Sequence, residues 1–111
     1  MLAPLPFPES PPPELRRIED WWRFTVSLLH DTEASFGQSS VDAGQDALFL
    51  ILGALALPLD AFAEVRGCAV TIAEAERLHG ALRQRIVNRV PTAYILGFAE
   101  QMGFRFAVNE H

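Results

Sequence analysis

The chain has 111 residues, half of them hydrophobic, and sets 14 acidic side chains against nine arginines and no lysine, for a net charge of -5. That length predicts one domain able to bury roughly two-thirds of its unfolded surface. The composition excludes a disordered chain, and its negative balance leaves no electrostatic footprint for direct nucleic-acid binding.

The N-terminal MLAPLPFPESPPP carries six of the eight prolines. It has neither the positive start nor the continuous apolar run of a secretory signal, so a cytoplasmic protein is expected. The single cysteine, Cys68, fits a reducing compartment and excludes both an internal disulfide and a cysteine-built metal cluster. Proline lacks a backbone donor and is excluded from helix interiors. Residues 1–13 therefore read as an extended leader, flexible or laid on the surface, with a proline-rich ligand for a partner domain as the alternative.

From Glu14 the apolar side chains recur at helical spacing through Leu15, Ile18, Trp22, Thr25 or Val26 and Leu29, which predicts an amphipathic helix to about Ala34. Pro13 suits its N-terminus and Glu14 its first turn. Trp21 and Trp22 cannot both face inward, so one of them is expected to be partly exposed. Residues 36–45 read as a loop in which Ser40 or Asp42 caps the next helix.

That next stretch, ALFLILGALALPL at 47–59, has no polar side chain. It is too short for a bilayer, which needs about 20 apolar residues, and too rich in Leu and Ala for a strand. It reads as a central helix wrapped by the others, with Gly53 admitting a close neighbour and Pro58 stopping it. A short helical piece follows at 59–65, ended by Gly67.

Thr71 and Glu74 have the spacing of a capping box. The helix they open carries Ala75, Leu78, Leu82, Ile86 and Val90 in one stripe, with Arg77, Arg83, Arg85 and Arg89 off it on a solvated face beside Glu74 and Glu76. Pro91 breaks this helix and opens another over 92–96, closed by Gly97. Phe104, Phe106 and Val108 then alternate with Arg105, Ala107 and Asn109, which is strand spacing. Gly103 would turn that strand back on 98–102 as a hairpin. A lone hairpin is marginal in water, and the sequence reaches His111 in mid-strand, so the chain is expected to be a piece of a longer protein.

No catalytic constellation assembles from these residues. His30, His79 and His111 lie on separate elements without metal-ligand spacing. No Gly-rich phosphate loop follows a strand. Asp46 reads as a first-turn charge on the central helix. The residues alone describe a helical module that binds or positions something.

Two blocks, DAGQDALFLILGALALPLD (42–60) and RVPTAYILGFAEQMGFRFAVNEH (89–111), resemble the N-terminal domain of the HemK and Prm protein-glutamine methyltransferases. The second is the more specific, because Arg89, Pro91, Ala93, Tyr94, Ile95 and Gly97 match the family's R-x-P-x-A-Y-[IL]-x-G run. The LPLD and GFRFAVNE runs look more like the PrmB branch, which modifies a large-subunit ribosomal protein, than the PrmC branch, which modifies peptide-chain release factors. Family members usually carry aromatic residues at the hairpin positions held here by Gln101 and Met102.

The resemblance implies an all-α bundle of four or five helices (14–97), with a C-terminal β-hairpin stub (98–111) leading to a methyltransferase domain outside this chain. It implies a parent enzyme that transfers a methyl group from S-adenosylmethionine to a glutamine side-chain nitrogen, with cofactor and catalytic residues downstream and none here. This domain would recognise the substrate protein, with Arg89, Tyr94, Gly97, Gln101 and Met102 as contacts to that protein or to the catalytic domain. The alternatives are a domain serving release factors and a helical adaptor attached to no enzyme.

Overall fold

Caps, punctuation and apolar spacing divide the chain into α1 (Ile18–Ser35), α2 (Ala43–Ala54), α3 (Phe62–Val65), α4 (Ile72–Leu82), a π-helical turn (Arg83–Val87) and α5 (Thr92–Gln101). The computed structural model describes residues 6–35 and 42–101, without the side chains of 33–35 and 98–101. Among these residues there is no strand, only one antiparallel bridge between Arg17 and Ala69.

That bridge explains why α1 starts later than its apolar spacing predicts. The Val70 N–H donates to the Arg16 carbonyl at 2.9 Å and the Ile18 N–H to the Cys68 carbonyl at 3.1 Å, which holds 16–18 extended. The Asp20 carboxylate then accepts from the backbone N–H groups of Arg16 and Arg17, at 3.1 and 2.9 Å. Glu19 and Asp20, not Glu14, are the first-turn acids. The inward stripe keeps Ile18, Thr25 and Leu29 as spaced, but takes Trp21 in place of Trp22 and adds Leu28. Trp21 is wholly buried with Thr25, Leu28 and Leu29, while Trp22 is half-buried. Each indole finds a carbonyl, Trp21 at Leu15 and Trp22 at Gly44, both at 3.0 Å.

Helix α2 is the axis of the bundle. Asp42 is its N-cap and accepts from the N–H groups of Gly44 and Gln45. Ala47, Leu50, Ile51 and Leu52 are fully enclosed, and α1, α4 and α5 pack around them. Pro58 does not end it. The helix closes at Ala54, where Ala56 takes a positive φ of 59°. The Leu57 N–H then reaches the Leu52 carbonyl at 2.9 Å and the Ala56 N–H the Gly53 carbonyl at 3.0 Å. This is the Schellman pattern, with alanine in the place that glycine normally takes. Gly53 does admit a neighbour, since a Cβ there would lie 2.7 Å from both Leu96 methyls.

Helix α4 opens with the expected capping box, Thr71 and Glu74 each bonding the other's N–H at 3.0 Å. Arg77 on this helix, and Arg83 and Arg89 beyond it, are exposed as expected, while Arg85 of the π turn is half-buried; Arg77, Arg83 and Arg85 also make contacts within the chain. Arg77 donates to the Ala54 carbonyl at the end of α2, and Arg85 to the Asp46 carboxylate in its first turn. The two contacts run α2 antiparallel to α4 and the π turn that continues it, and Arg77 places positive charge at α2's carbonyl end, where the helix dipole favours it. Arg83 lies 5.2 Å above the Phe7 ring.

Phe7 also meets the His79 ring, with centroids 5.2 Å apart, and the His79 Nε2 is 2.8 Å from the Pro8 carbonyl. The described part of the proline-rich leader is therefore laid on the surface, with Phe7 packed against the main core. At the other end of the chain, Gly97 does not close α5, which continues to Gln101. The first hairpin arm, expected over 98–102, is helical as far as Gln101, and 102–111 lie outside the described residues.

Candidate functional site

The expected contact residues fall on and beside α5. Pro91, which has no N–H to lose, starts the helix, and its carbonyl accepts from Tyr94 at 3.0 Å and Ile95 at 3.2 Å. Tyr94, Gly97 and Gln101 are spaced i, i+3 and i+7, so they line one face. The other face is committed to the bundle, through buried Ile95 and through Leu96 against Gly53. Tyr94 is 72% exposed, and a side chain added at Gly97 would meet open space within 4 Å. Met102 lies outside the described residues.

Arg89 precedes this helix with φ at 64°. A positive φ is costly for an arginine, and it follows from the chain's reversal between the π turn and α5. Asn88 closes that turn with its N–H on the Arg83 carbonyl at 3.1 Å, and Val90 reaches back to Gln84 at 2.9 Å.

Beneath the reversal lies a polar junction that has no signal in the local sequence, because its members are 39 and 46 residues apart. Asp46 Oδ2 accepts from Arg85 Nε at 3.2 Å and from Arg85 Nη2 at 2.8 Å, while Asp46 Oδ1 accepts from the Thr92 hydroxyl. The Arg85 and Asp46 side chains are only 22% and 20% exposed. Asp46 is more than the helix-dipole charge read from the sequence.

Elsewhere, His30 is exposed, His79 holds the leader, and His111 lies outside the described residues. Among the described residues no three His, Cys, Asp or Glu side chains gather to hold a metal, and no helix is long and apolar enough to cross a membrane. A shallow groove of about 500 Å³ runs between Pro11–Pro13 of the leader and the start of α4, with Ile72 on its wall.

No protein-family model and no solved structure matches the chain. It is, however, similar to curated proteins named ribosomal protein uL3 glutamine methyltransferase. The one from Neisseria gonorrhoeae is 36% identical over 97 residues, which is 87% of this chain and 32% of the relative. Those from Bordetella pertussis and Burkholderia pseudomallei are each 32% identical, over 86% and 91% of this chain. The chain spans about a third of the length of these relatives. The resemblance carried by the blocks at 42–60 and 89–111 is thus borne out, including the preference for the ribosomal-protein branch.

Proposed function

We propose that this chain, kin over most of its length to the ribosomal protein uL3 glutamine methyltransferases, is the substrate-docking domain of such an enzyme, with ribosomal protein uL3 as its target. The observation that supports this most is the similarity itself, which extends over 87% of the chain. The geometry supports a docking role in particular. A glutamine amide is small and common, so an active site cannot identify a protein by that group alone. Selectivity then comes from remote contacts that raise the effective concentration of the right glutamine. The outer face of α5 offers such a contact: a large aromatic side chain, Tyr94, standing on a helix whose opposite face is locked to the core.

Charge points the same way. A protein that sits on ribosomal RNA is basic, and a chain of net charge -5 is its complement. S-adenosylmethionine and the groups that hold it are assigned to the catalytic domain of the parent enzyme, in the cytoplasm where ribosomal proteins are made. Among the described residues no strand feeds a Gly-rich loop that opens a helix, the arrangement that would cradle a nucleoside.

The test is a calorimetric titration of the chain with purified uL3. Saturable binding that weakens with salt is expected, reduced about tenfold by Tyr94→Ala and unchanged by Arg66→Ala. A folded wild-type chain that gives no binding heat and no shift in a pull-down sinks the docking role.

A further inference from the structure

The stretch between α4 and α5 is the least regular backbone among the described helices. It contains a π-helical turn (Arg83–Val87), a positive φ at Arg89 and a proline that donates no hydrogen bond. The Val90 N–H, on the Gln84 carbonyl, ties the residues after the reversal to the turn before it by backbone. Side chains therefore share in setting the direction in which α5 leaves the bundle.

Asp46 is placed to set it. Its two oxygens are divided between the two sides of the reversal: Oδ2 holds Arg85 within the π turn, and Oδ1 holds the hydroxyl of Thr92, the first residue of α5. The carboxylate itself stands on the first turn of α2, the most buried helix of the bundle. We infer that Asp46 is a positioning residue, a latch that spans the reversal and fixes the angle at which α5 presents Tyr94 and Gly97. The inference rests on the docking reading for its functional consequence, but its geometry stands apart from it.

Three features make this more than a structural ion pair. The pair is mostly enclosed, with Nε and Nη2 of Arg85 converging on one oxygen of Asp46, unlike the exposed Arg66–Glu19 pair. Thr92 adds a second, uncharged arm to the same carboxylate, so one group controls both segments. The latch also acts at the near end of α5, whereas Gly53 and Leu96 anchor it one turn further on. Two anchors on one helix define its axis.

Asp46→Asn keeps the side-chain shape, removes the charge and forces one position to donate where both now accept. The exposed, solitary Cys68 can carry a spin label that broadens amide signals according to distance. In Asp46→Asn the broadening of α5 amides should redistribute while that of α1 and α2 stays as in the wild type, and the affinity for uL3 should fall roughly tenfold. Thr92→Val, which keeps volume and removes only the hydroxyl, should move the same α5 amides. It decides the question if Asp46→Asn fails to fold. A uniform loss of stability with an unchanged α5 pattern overturns the latch. If the wild type does not bind uL3, the docking reading falls, and the broadening pattern still decides the positioning role.

Discussion

Ala56 holds a backbone conformation that alanine adopts at a cost. With φ at 59° it occupies the position after the cap of α2, where both Schellman hydrogen bonds are made. A side chain there brings Cβ against the following carbonyl oxygen, a strain of roughly 1–2 kcal/mol that glycine does not feel. Glycine loses more entropy on folding, about 0.5–1 kcal/mol. The difference leaves Ala56→Gly stabilising by about 0.5–1 kcal/mol, visible as a raised Tm. A lowered Tm would show that α2 does not end in this motif. Nothing near Ala56 advertises the turn, since the run ALALP carries no glycine or asparagine. A helix that ends on tertiary demand is invisible to rules built on the residues that usually end helices. Pro58 is the natural stop in the sequence, yet the helix ends at Ala54, four residues before it.

At the scale of the element, what is legible depends on whether competing contacts are local. Helix α2 is readable because an unbroken apolar run of its length has one comfortable home, the centre of a bundle. The capping box of α4 is readable because both partners sit within one turn. The start of α1 is not, because Arg16 and Ile18 pair with residues some 50 positions away. Nor is the length of α5, where Gly97 has the look of a stop but Ile95 and Leu96 are already seated in the core.

The seat of Leu96 on Gly53 gives the element its test. Gly53→Ala gains about 1 kcal/mol of helix propensity, but the new methyl overlaps Leu96 and overpacking costs about 1–3 kcal/mol. The single change should destabilise by about 1 kcal/mol. In a Leu96→Ala background the obstruction is gone, and the same substitution should stabilise. Thermal or denaturant melts of the four proteins measure the coupling, and an unchanged sign would mean that α5 does not approach α2 at this point.

Across the whole molecule, the site was legible only through resemblance. Composition and spacing offered Tyr94 and Gln101 no role, and Gly97 only that of a helix stop. The R-x-P-x-A-Y-[IL]-x-G run singled out Tyr94 and Gly97, and the family's hairpin positions Gln101; all three positions fall on one face of α5. The Asp46–Arg85–Thr92 junction was legible by neither route, since an acid at a helix start and an arginine on a helix flank are ordinary residues until the fold brings them together. The arginines of α4 and the π turn show the same limit: Arg77 and Arg83 are exposed as their spacing reads, yet the contacts that they and half-buried Arg85 make with distant parts of the chain have no local signal.

The leader carries that argument to a measurable end. Read by composition, residues 1–13 are a tail. In the fold Phe7 is packed against the core, its ring lies beside His79 and under Arg83, and Pro8 is held by His79. A domain this small has little core to spare, so half-burying one more aromatic ring is a sizeable contribution. Partial burial of Phe7 and its cation–π contact together are worth about 2 kcal/mol. Removing residues 1–13 should therefore lower Tm by roughly 8–16 °C, and Phe7→Ala alone should account for most of that drop. A replacement of Pro6 by alanine should do little, because these contacts are made by Phe7 and the Pro8 carbonyl. Equal Tm values for the full and shortened chains, measured by calorimetry under one set of conditions, would return the leader to the status of a tail.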